Sequence, residues 1–136
     1  MNRSYLIPLC LMLFGCASDI RISHREAKQW ASEEAGQASE QAGIANQQTY
    51  PKIVSNALYG DQDALSKVFK VSPSTDAASA ELQAGILAVI IRTIGDDVFA
   101  EALKKEKPNV ISSNIDLVSR ELGADSKLFP NSMSLK

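Results

Sequence analysis

The run Ala84-Gly85-Ile86-Leu87-Ala88-Val89-Ile90-Ile91 is apolar nearly all round, and a folded chain must bury it. It is approached without a break from Asp76, and it closes at Arg92 and Gly95. This predicts a helix from about Asp76 to Ile94, buried on most of its faces because it is apolar on most of them. A buried β-strand is the alternative for those eight residues, given the Val and Ile at their end. The run itself is too short for a bilayer, which takes about 20 apolar residues. It reads as the central helix of a core.

Shorter amphipathic segments surround it. Pro51 suits a first helical turn, and Ile53, Val54, Ala57 and Leu58 give an apolar face that Gly60 ends. Asp61 caps a second helix carrying Ala64, Leu65, Val68 and Phe69. Val71-Ser72-Pro73-Ser74-Thr75 breaks the pattern, and Thr75 or Asp76 is the next cap. After Gly95, Asp96 starts a helix with Val98, Phe99, Ala102 and Leu103 inward. Asp96-Asp97 at its start and Lys104-Lys105 at its end both suit the helix dipole. Pro108 and Asn109 precede a last helix with Val110, Ile111, Ile115, Val118 and Leu122, stopped by Gly123. The tail, residues 124–136, is expected to lay Phe129 on the core and then fray.

The expected fold class is therefore all-α: a small helical bundle, or a short αα-hairpin domain of about five helices over residues 49–123. The αα-hairpin form rests on a weak repeat. Gly60-Asp61 and Gly95-Asp96 lie 35 residues apart, with Ala64 matching Phe99 and Val68 matching Leu103. That is near the period of αα-solenoids, but the signature positions of tetratricopeptide repeats are absent. The other reading is that Gly-Asp simply ends one helix and caps another.

Ahead of this domain the composition shifts to Ala, Gln, Glu and Ser. Ala31, Ala35, Ala38, Ala42 and Ala45 recur in steps of four and three, the spacing of a coiled-coil seam. Ser23 and Glu26 fit a capping box that would start this helix. Alanine buries too little area to drive association as leucine does, but it lets another helix approach closely. The stripe is either a docking face or one side of a solvated helical spacer. Gly36 and Gly43 each cost about 1 kcal/mol of its helix stability.

At the N-terminus, Arg3 precedes the apolar run Tyr5 to Phe14, the layout of a secretory signal. The run ends in Leu13-Phe14-Gly15-Cys16. This resembles the lipobox of bacterial lipoproteins, with Leu at the third place before Cys and a small residue just before it. The resemblance implies cleavage between Gly15 and Cys16 and a lipid on the Cys16 thiol, open to palmitate labelling. Residues 1–15 are then a signal peptide, and residues 16–48 are the lipidated Cys16 with its Ala/Gln/Glu-rich tether. Several acyl chains anchor a protein stably, where one is marginal. Ala17 follows the Cys, without the Asp that retains enterobacterial lipoproteins at the inner membrane. The expected place is the periplasmic face of the outer membrane.

On this reading Cys10 is lost and Cys16 carries lipid, so no thiol remains for a disulfide, a metal or a nucleophile. Arg3 is the only charged side chain lost with the signal, leaving 13 basic against 16 acidic residues. Such a balance argues against nucleic acid as a partner. His24 is the only histidine and reads as a solvated helix-start residue. With it in the tether, no Ser has a His beside it as a base. Asp61-Gln62-Asp63 begins like a calcium loop, but Leu65 occupies the third ligand place. Glu81, Glu101 and Glu121 are the carboxylates that a glycosidase would draw on. Few aromatics are present to stack a sugar.

The expectation is therefore a non-catalytic, membrane-anchored helical domain that binds another envelope protein, without metal or cofactor. An immunity or exclusion lipoprotein is the narrower version, by analogy. A structural envelope lipoprotein, self-assembling through the Ala stripe of residues 31–45, is the alternative.

Overall fold

The computed structural model describes residues 50–135 together with Arg25, Glu26 and Gln29, which are helical and exposed. Six α-helices occupy the longer span: α1 (Tyr50–Ala57), α2 (Gln62–Val71), α3 (Ala77–Ile94), α4 (Asp96–Leu103), α5 (Pro108–Leu122) and α6 (Pro130–Met133). Short 3-10 turns at Ser72–Ser74 and Gly123–Leu128 join α2 to α3 and α5 to α6. No strand occurs among the described residues, and the fold is all-α.

Local chemistry sets the helix limits. Asp61 accepts the Ala64 N–H at 2.7 Å and starts α2. Asp76 accepts the Ser79 N–H at 2.9 Å, and its own N–H donates to the Ser79 hydroxyl at 3.0 Å, forming a capping box for α3. The Ser79 hydroxyl also donates to the Asp76 carboxylate at 2.6 Å, and this bond first, then that from the Ser79 N–H, holds the Asp76 carboxyl below its usual range. Gly60 at φ +79° and Gly95 at φ +90° supply the left-handed backbone that turns the chain out of α1 and α3.

α3 is the central helix. Ile86, Leu87, Ile90 and Ile91 are fully buried, so the apolar run is helical core and the strand alternative falls. By length and composition the 18-residue helix also meets the needs of a membrane span, yet half of it is buried inside the fold. It packs most extensively along α5 and also against α4. Phe69 of α2 meets Phe99 of α4 edge to face, ring centroids 5.1 Å apart, closing the core beside α3.

The two Gly-Asp steps differ in use. Asp61 caps its own helix, whereas Asp96 makes no side-chain cap on α4. Its carboxylate instead accepts the N–H groups of Asn131 and Ser132, both at 2.8 Å, at the start of α6. Asp97 accepts the Asn131 side-chain amide at 2.6 Å. The expected fraying of the tail is corrected by these bonds. Phe129 is buried, Ser132 is fully so, and Met133 and Leu135 pack on the core. A carboxylate that satisfies the orphan N–H groups of a distant helix has no signature in local spacing.

Candidate partner-binding groove

The interior holds a chain of polar side chains that the apolar periodicity did not reveal. Pro73 ends α2 and offers no N–H, and the Ser72 N–H turns back to the Phe69 carbonyl. The Val68 carbonyl is then left for the Gln83 amide of α3, which donates to it at 3.0 Å and to the Ser72 hydroxyl at 3.1 Å. That hydroxyl donates to the Asn114 carbonyl oxygen at 2.7 Å, and the Asn114 amide donates to the Phe69 and Val110 carbonyls, each at 2.8 Å. The Tyr50 hydroxyl donates to the Gln83 side-chain oxygen at 2.6 Å. Every member is buried and partnered, so the network ties α1, α2, α3 and α5 together.

Burial pushes the Tyr50 phenol well above its ordinary value, and the Gln83 hydrogen bond offsets only part of that. The unfolded phenol ionises near pH 10, while the folded one stays neutral beyond it. The fold therefore keeps this contribution below pH 10 and loses it as the pH rises further. Tyr50→Phe should cost about 1 kcal/mol near neutrality through the lost hydrogen bond. The deficit should shrink or reverse at about pH 11. Urea midpoints of the two proteins at both pH values test this; a constant deficit would show that folding does not shift the phenol's ionisation.

The surface carries a groove of about 490 Å³ between the start of α3 and the end of α5. Ala77, Ala80 and Ala84 of α3 form its floor with Leu117 of α5, and Asp76, Glu81, Arg120 and Glu121 rim it. The alanines lie on one face of α3 because the helix repeats every 3.6 residues. The floor is low because each offers only a methyl.

Of the carboxylates singled out from the sequence, the fold brings Glu81 and Glu121 to this groove and leaves Glu101 paired with Lys104 elsewhere. Both groove glutamates are exposed, and no aromatic ring lines the groove. Asp61 is occupied as a cap, and Asp63 pairs with Lys67 at 2.6 Å. Among the described residues no cluster of His, Cys, Asp and Glu is arranged to hold a metal ion. Gly15, Cys16, His24 and the alanine stripe of residues 31–45 lie outside the described residues. No known protein family, curated protein or solved structure matches the chain.

Proposed function

We propose that the chain is a bacterial envelope lipoprotein whose helical domain binds a protein partner through the α3/α5 groove. It is cleaved before Cys16, lipidated on that thiol and held at the periplasmic face of the outer membrane. The groove is the observation that carries the binding reading. Its alanine floor admits the backbone of an incoming helix, as in recognition of a helix in a groove. Its rim, three carboxylates around Arg120, favours a partner with basic residues beside small ones. Exposed glutamates without an aromatic platform support binding rather than sugar hydrolysis. Within this reading the immunity or exclusion role is the narrower proposal, in which the partner is an incoming toxin or transfer component.

The anchor and the groove are tested separately. Cys16→Ala should abolish palmitate labelling and release the protein from the membrane fraction; unchanged cleavage and fractionation would end the lipoprotein reading. A photo-crosslinking side chain at Ala80 should give one discrete adduct in intact cells, while the same group at Lys127 gives none. Adducts of equal yield at both positions would remove the groove from the binding reading. An assembly of identical chains lost on deleting residues 23–48 would favour the structural alternative.

A further inference from the structure

The fold gathers lysines that are distant in sequence. Lys70 at the end of α2 shares a groove of about 460 Å³ with Lys105 and Lys107, from the link between α4 and α5. All three are exposed. Pro73, Asn109 and Val110 complete the apolar and backbone lining. The one acid there, Glu106, is only half exposed and accepts a hydrogen bond from the Ser66 hydroxyl. Lys105 donates to the Gln62 side-chain oxygen at 3.1 Å, which leaves its charge uncompensated. α5, fifteen residues long, begins at the same groove with Lys107 as an N-cap that makes no side-chain bond, so its positive end adds to the field.

This concentration stands out against the rest of the domain. Residues 50–135 hold nine basic and eleven acidic side chains, so gathering lysines here leaves the remaining surface more acidic still. A surface with its lysines gathered in this way turns that patch toward negative charge.

From this charge placement we infer that the Lys70/Lys105/Lys107 groove is a docking face for anionic phospholipid headgroups, which lays the domain on the membrane in one orientation. The inference rests on the membrane-anchored reading above, which supplies the proximity. Three lysines alone bind an anionic bilayer weakly, but an anchor through Cys16 keeps the headgroups at high effective concentration. The α3/α5 groove, whose rim is mostly acidic, is repelled by the same headgroups and is left to a protein partner.

The test uses residues 16–136 joined through Cys16, their only thiol, to a maleimide lipid in vesicles. The vesicles are phosphatidylcholine, with or without phosphatidylglycerol, and lysine acylation by an N-hydroxysuccinimide ester is read by mass spectrometry. At about fivefold in local binding per lysine near an anionic surface, Lys70, Lys105 and Lys107 should react several-fold more slowly on the phosphatidylglycerol vesicles. Lys127, beyond the opposite end of α5, should react equally on both. High salt should erase the protection. Equal reactivity of the three lysines on both vesicles overturns the proposal, as does uniform protection that includes Lys127. Protection by inorganic phosphate without vesicles would overturn it in favour of a soluble anion. Because the lipid is attached chemically, none of these outcomes depends on whether cells acylate Cys16, which palmitate labelling decides.

Discussion

Ile90→Asp should leave the chain without a cooperative fold. Ile90 is fully buried in the second half of α3, among Ile86, Leu87 and Ile91 on its own helix and within the apolar cluster formed by all the longer helices. A carboxylate there loses its hydration, and no basic side chain is among the core residues to pair with it. That penalty of several kcal/mol, added to the lost isoleucine packing, matches the roughly 5–15 kcal/mol that a domain has in total. Ile90→Ala is the graded companion, expected to cost about 2–5 kcal/mol through lost transfer and the cavity left behind. Far-ultraviolet circular dichroism and urea denaturation of the chain from residue 17 read both. A wild-type melt for the aspartate variant would remove α3 from the centre of the core.

Asn114→Ala should be the most damaging polar truncation, at about 2–4 kcal/mol. The substitution takes the amide from the Phe69 and Val110 carbonyls and the acceptor from the Ser72 hydroxyl, all in the interior. Its neighbour Ser113, which bonds only to the Asn109 carbonyl within its own helix, should cost under about 0.5 kcal/mol on the same change. Asn114→Asp separates hydrogen bonding from volume. An aspartate at this site faces two carbonyl oxygens and must stay protonated to donate to either, so its folded pKa rises above the usual value of about 3.9. Its stability is then present at acid pH and is lost as the pH rises through that raised value. A variant more stable at neutral pH than at about pH 4 would show that Asn114 is not held as described.

What could be read locally was read from bonds that close within a turn. Asp61 and Asp76 cap helices because their carboxylates reach N–H groups three residues on, and that geometry travels with the sequence. Gly60, Gly95 and Gly123 carry the positive φ that ends α1, α3 and α5, and the lack of a Cβ is visible in the residue itself. The apolar run Ala84–Ile91 demanded burial and favoured a helix over a strand, and it is a buried helix.

Tertiary structure decided whatever depends on which helices become neighbours. Gln83 and Asn114 look like ordinary polar positions until α3 and α5 meet the end of α2, where the Val68 carbonyl lacks its helical donor and the Phe69 carbonyl takes a second one. Asp96 resembles Asp61 in sequence, yet α6 arrives beside it and takes its carboxylate, binding the tail to the core. Glu81 and Glu121 are 40 residues apart and share one groove; Lys70 and Lys107 are 37 apart and share another. Charge and hydrogen-bonding capacity belong to single residues, so the chain's chemistry was legible from the sequence. Their direction and company are set by helix packing, which depends on burying every apolar face at once, and no local window contains that condition.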